Sequence, residues 1–178
     1  MILKKLIDEF VAFVSTSGEV ELYNEAGLRH ELATFIEQRL NPEKYGIQLE
    51  REARAVVLAD SEEDFQDALL DIYVFERAGK GQFCLQVMAP PNLTALAWAE
   101  APKQVKFLKQ LLLHGFQEGG LFLAFQQPFP TAETAADLNA MLPNLGYSIE
   151  WNVLLPAWQD NNGPWKYFFL QPGKSRNI

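Results

Sequence analysis

Asp71 interrupts an apolar run, Leu70-Asp71-Ile72-Tyr73-Val74. An ionised carboxylate in such a run is costly unless it is paired, hydrogen-bonded or bound to a cation. Three arrangements answer that cost: an ion pair with Arg51 or Arg54 from the preceding strand, a metal site, or a solvated sheet edge. Further along comes Leu85-Gln86-Val87-Met88-Ala89-Pro90, where strand alternation puts Gln86 and Met88 on one face and Val87 on the other. Glu31 lies about 60° from Leu28 around a helix, a boundary position that also suits a surface salt bridge.

Other reactive types read more plainly. Cys84 is the only cysteine and sits in an apolar run, as a buried free thiol of a reducing cytosol does. His30 falls on the far side of its helix and is expected to be exposed. His114 stands near a helix C-terminus, where a cation is favoured. Trp151, Trp158, Trp165, Tyr167, Phe168 and Phe169 resemble a base-stacking set, but only Lys166 interleaves them, which favours core packing or a dimer surface.

The elements that must position these residues follow from periodicity. Residues 2–15 carry apolar side chains at helical spacing, and Ser15-Thr16-Ser17-Gly18 ends that helix. A second helix spans Asn24 to Arg39, with Asn24 as its cap and Asn41-Pro42 closing it. Tyr45 to Arg51 alternates as a strand, which Val56-Val57-Leu58 can continue, and the acids at 60–64 form a solvated loop. Leu69–Phe75 and Gln82–Ala89 form a hairpin about Gly79-Lys80-Gly81.

Pro102 suits the first turn of a helix reaching His114, with Gly115 as a left-handed C-cap. Leu121–Phe125 is a strand buried on both faces. A helix near Thr131–Leu142 and strands at Ser148–Leu155 and Trp165–Leu170 complete the order. The expected architecture is α/β, one domain over 1–178.

A strand with a lone Asp, a turn and a second strand ending in Glu-x-Lys resembles the metal site of the PD-(D/E)XK (restriction-endonuclease-like) superfamily. The likeness extends to an uncharacterised bacterial branch through His30-Glu31-Leu32, Glu50-Arg51, Leu70-Asp71-Ile72, Gln86-Val87-Met88-Ala89-Pro90 and Lys103-Gln104-Val105-Lys106-Phe107-Leu108. These follow in order over roughly residues 23–127. The resemblance implies a restriction-endonuclease-like core: a central mixed sheet flanked by helices, αβββαβ, with an extra N-terminal helix. Residues 128–178 would extend the same sheet with C-terminal strands.

By that resemblance Asp71 holds the Asp place, Gln86 the Glu place and Met88 the Lys place. Val87 lends its backbone carbonyl, and Glu31 matches a helix acid near the metal. In active members the carboxylates hold Mg²⁺, and the Lys activates water and steadies charge on the phosphoryl group. Gln86 brings no charge and Met88 no proton, and loss of the Lys function alone costs about 10²–10³-fold. The resemblance therefore implies a degenerate site with no cofactor or a weakly held Mg²⁺ or Mn²⁺. The alternatives are a metal-dependent DNA nuclease with an altered site, and an acidic accessory protein that binds other proteins.

Lys103 and Lys106 point about 140° and 160° from Leu108, away from the sheet, which argues against either replacing Met88. With Lys109 they read as a solvated helix face or as phosphate contacts. The net charge of −8 opposes general nucleic-acid affinity. Residues 1–76 hold 17 of the 23 acids and 7 of the 15 bases, a balance of −10, and residues 77–178 a balance of +2. Any phosphate-facing surface for nucleic acid is to be sought in that second half, and a protein partner or a homodimer is the alternative. No run of about 20 apolar residues exists to cross a bilayer, and the expected location is cytoplasmic.

Overall fold

Leu3, Leu6, Ile7, Phe10, Val11 and Val14 recur at helical spacing, and all are buried along one face of α1 (Ile2–Ser17). The computed structural model describes residues 2–17, 24–57, 65, 67–89, 95–125, 149–151, 158–160 and 163–172. After α1 come α2 (Glu25–Arg39), β1 (Tyr45–Glu52), β2 (Leu69–Glu76), β3 (Gln82–Met88), α3 (Ala95–Leu113) and β4 (Glu118–Phe125). β5 (Ile149–Trp151), β6 (Trp158–Asp160) and β7 (Gly163–Pro172) follow. The expected helix near 131–142 lies outside the described residues.

The sheet is mixed. Its five long strands lie in the order β1-β2-β3-β4-β7, with β5 beyond β7 along one part of that strand and β6 paired to another. β3 and β4 are parallel and joined through α3, and the other pairs are antiparallel. Helices cover both faces. One cluster gathers α1 and α2 side chains with Ile72, Val74, Leu85, Val87, Phe122 and Phe169. The other gathers Val105, Leu108 and Leu111 of α3 with Leu70, Tyr73, Cys84, Leu121, Leu123 and Phe168. Successive residues of β4 enter opposite clusters, so that strand is buried on both faces as its unbroken apolar run predicts. Tyr167, Phe168 and Phe169 are buried too, which answers the stacking alternative for those three by packing.

Local capping accounts for the helix ends. Asn24 accepts the Gly27 N–H at 2.8 Å and caps α2 as expected. The Glu118 carboxylate of β4 accepts the Ile2 and Leu3 N–H groups at 2.8 and 3.0 Å, so a strand side chain caps α1. α3 ends in a Schellman turn: Phe116 N–H donates to Leu111 O, Gly115 N–H to Leu112 O, and Gly115 has φ +97°.

Two expectations fail here. Pro102 lies inside α3 rather than at its start, because the upstream run Ala95-Leu96-Ala97-Trp98-Ala99-Glu100-Ala101 consists mostly of strong helix formers that outweigh one proline. Val56-Val57 does not continue β1, because Ala53–Ala55 forms a 3₁₀ turn closed by Val56 N–H and Val57 N–H donating to Ala53 O, and Leu58 lies outside the described residues. A Cβ on Gly115 meets nothing within 4 Å, so Gly115→Ala tests backbone conformation alone. It should destabilise the fold by about 1 kcal/mol, read as a lower urea midpoint at unchanged slope.

Candidate functional site

The strands β2 and β3 pair as far as Ile72 opposite Leu85 and then part. Hydrogen bonds on either side of that point show why. Arg77 N–H donates to Lys44 O, which places odd-numbered amides of β2 toward β1. Ala53 N–H donates to Ala68 O, which places even-numbered groups there instead. β2 has therefore turned by one residue between these bonds, and β1 turns with it at Glu50, whose φ is +51°. Ile72 consequently packs with the α1–α2 cluster, whereas Leu70, two residues away, packs with the α3 cluster.

The rotation keeps β1 on β2 and opens a fork against β3. In the ladder's phase the next β3 amides to bond β2 would be those of Val87 and Ala89. Carboxylates take them: Val87 N–H donates to Asp71 Oδ2 at 2.9 Å, and Ala89 N–H to Glu25 Oε2 at 3.0 Å. From the other side Gln86 Nε2 donates to the Leu69 carbonyl at 2.8 Å. Because that partner is a carbonyl, the buried Gln86 must present its NH₂ to the fork.

The other Asp71 oxygen accepts from Arg29 Nη1 at 2.8 Å, and Arg29 Nη2 lies 3.1 Å from Glu50 Oε1. This corrects the expected pairing of Asp71 with Arg51 or Arg54: the guanidinium comes from α2. Arg54 instead pairs with Glu52 at 3.0 Å. Asp71 and Arg29 side chains are only 17% and 19% exposed. Burial pushes the Asp71 carboxyl above its ordinary value and Glu50 adds to this, against the opposing Val87 N–H and Arg29. The Cys84 thiol is pushed well up by complete burial and by Asp71, as befits an inert thiol.

The remaining expected residues make none of these hydrogen bonds. Met88 packs against the α3 cluster. Glu31 is half-buried and His30 exposed on α2, while Arg29, one position earlier, reaches the fork. His114 is exposed and edges onto the Phe65 ring. Lys103 is exposed and pairs with Glu100, and Lys106 is exposed. Lys109 departs from the solvated face expected of it: it is 8% exposed, and burial lowers its pKa. It lies about 40° from the buried Val105 on the helix, inside the packed stripe.

A divalent cation needs oxygen ligands with free lone pairs. Each Asp71 oxygen already accepts one hydrogen bond, Gln86 turns its NH₂ inward, and the Arg29 guanidinium between Asp71 and Glu50 repels a second cation. Among the described residues no group of three or more His, Cys, Asp or Glu side chains converges to hold a metal. These residues do not fit Mg²⁺ or Mn²⁺. Arg29 and Glu25 were missed by the sequence reading; the available signal was their helical spacing, since Arg29 precedes buried Leu32 and Ala33 by three and four positions. Compared with protein-family models, curated proteins and solved structures, the chain matches none. No helix of the described residues is long and apolar enough to cross a membrane.

Two measurements probe the fork. Asp71→Ala strands the Val87 amide and leaves Arg29 with the exposed Glu50 only, so it should cost about 2–4 kcal/mol in urea unfolding. A double-mutant cycle with Arg29→Met should return a coupling of about 1–3 kcal/mol, and additive losses would deny the pair. The second is pH. A carboxyl held above its ordinary 3.8 binds its proton more tightly when folded. Its contribution is therefore most favourable below that value and is lost as pH rises through the folded pKa. Wild type should lose stability relative to Asp71→Asn as pH climbs from 3.8, and a gap that is flat or widens in favour of wild type contradicts this.

Proposed function

We propose that this chain is a catalytically degenerate PD-(D/E)XK-like protein, one restriction-endonuclease-like domain kept as a binding or assembly module in the cytoplasm. The observation that carries this reading is the occupation of Asp71, one oxygen by Arg29 and the other by the Val87 N–H. The mixed sheet and the meeting of Asp71 with Gln86 at one fork support the nuclease-like frame. The chemistry supports the loss of activity. Gln86 and Met88 stand in the places of an acid and a base, and a guanidinium stands beside the one acid that remains.

The Arg29 guanidinium offsets the Asp71 charge, but its two Nη atoms are turned to Asp71 and Glu50, and it cannot lower the pKa of a bound water as a metal ion does. Lys103 and Lys106 stay exposed on α3, where they could touch phosphate without acting on it.

The test is cleavage of supercoiled, linear and single-stranded DNA with Mg²⁺ or Mn²⁺ present. No cleavage is expected above a no-enzyme control, and neither ion should raise the melting temperature. Metal-dependent cleavage that disappears in Asp71→Ala would overturn the proposal.

A further inference from the structure

β1 is an edge strand among the described residues, and its outer amides are not all alike. The Arg77–Lys44 backbone bond fixes the phase, so the N–H and C=O groups of Tyr45, Ile47 and Leu49 face away from β2. Those of Tyr45 are already used: its N–H donates to Asn41 O, and its carbonyl accepts from Arg77 Nε at 3.1 Å. Ile47 and Leu49 remain as the open edge, and at Glu50 the strand turns.

Four further observations converge on the same end of β1 and β2. Leu49 and Leu69 are 43% and 47% exposed, two of the few large apolar side chains left in solvent among the described residues. An open cleft of about 470 Å³ is lined by Gln48–Glu52 and Ala55. A second, of about 170 Å³, has Phe65, Ala68 and Leu69 in its wall and shares Glu52 with the first. The two non-glycine residues with left-handed backbone among the described residues, Glu50 at φ +51° and Asp67 at φ +58°, each line one of these clefts. Held backbone strain of this kind gathers at binding sites.

We propose that this edge receives a flexible, extended segment of a partner protein, which pairs with Ile47 and Leu49, covers Leu49 and Leu69, and carries lysine or arginine. Strand addition draws affinity from backbone bonds and specificity from side chains at alternate positions. The Glu50, Glu52 and Asp67 carboxylates border the leucines, and Glu50 and Glu52 are more than half exposed. Arg51 and Arg54 are interspersed, so preference for a basic segment comes chiefly from the −10 balance of residues 1–76. The same charge repels a phosphate backbone. A second copy fits poorly: its own β1 is closed at Tyr45 and turned at Glu50, which limits a two-fold ladder to Ile47–Leu49. A flexible chain can follow the turn.

This deepens the binding-module reading and rests on it only in that respect; the cleavage assay decides the nuclease-like frame, and a peptide titration decides the edge. The probes are labelled ten-residue peptides alternating lysine with valine, and glutamate with valine, followed by anisotropy and amide hydrogen exchange. The lysine peptide should bind at least about tenfold more tightly, slowing exchange at Ile47 and Leu49. Leu49→Pro deletes one outward N–H without touching the β2 ladder, and Glu52→Lys reverses one exposed charge. Each should weaken binding about tenfold with unfolding midpoints little changed. Equal binding of the two peptides, no binding, or protection away from β1 overturns the proposal. So does concentration-dependent protection of Ile47 and Leu49 by the protein alone, which would make a second copy the occupant.

Discussion

The backbone amides of Val87 and Ala89 need acceptors, and β2 does not provide them. A buried N–H left unmade costs about 1–3 kcal/mol, so the fork between β2 and β3 can persist only if something else accepts. Asp71 and Glu25 do so, and Gln86 answers the stray Leu69 carbonyl in the opposite direction. Each of these side chains is polar because the backbone beside it is unpaired. Charge then propagates outward: the carboxylate demanded by Val87 itself demands a cation, and Arg29 supplies it from α2. Replacing Asp71 and Arg29 by an apolar pair could match the packing of an ion pair. It could not accept from Val87.

That chain of demands ties a helix to the sheet at two points. Glu25 at the first turn of α2 and Arg29 one turn later both reach the fork, so α2 is fixed in rotation as well as in position. The buried face of α2, with Leu28, Leu32, Phe35 and Ile36, supplies the apolar contact, while the two charged contacts choose its orientation. α1 is fixed by similar means, through Glu118 of β4 on its first two described amides.

Much of this was legible in the sequence where it depends on local pattern. The lone Asp71 in an apolar strand, the hairpin of β2 with β3 as far as Leu85, the Asn24 cap and the left-handed Gly115 all follow from residue type and spacing. Asp71 was also legible as a residue in need of a partner. Which partner was not, because Arg51 and Arg54 are near in sequence whereas Arg29 comes near only once α2 crosses the sheet. The strand rotation at Glu50 left no trace either, since no glycine marks it and alternation simply continues on the other face. Pro102 and Lys109 were misplaced for a related reason. Rules for a helix start and for a charged face describe an isolated helix, and α3 is held by Val105, Leu108 and Leu111 against the sheet.

Local charge also bears on whether a phosphodiester could ever be handled at the fork. Asp71, Glu25 and Glu50 bring three carboxylates there, and Arg29 offsets one of them. Met88, where the resemblance expects a lysine, adds no compensation and faces the α3 cluster instead. An approaching phosphate would meet the uncompensated charge of Glu25 and Glu50, both exposed, and so be repelled through a solvent-screened field. A bound divalent ion would reverse that sign, but the oxygens it needs are held by Val87 and Arg29. The interactions that let the fork fold are thus the ones that already engage both Asp71 oxygens.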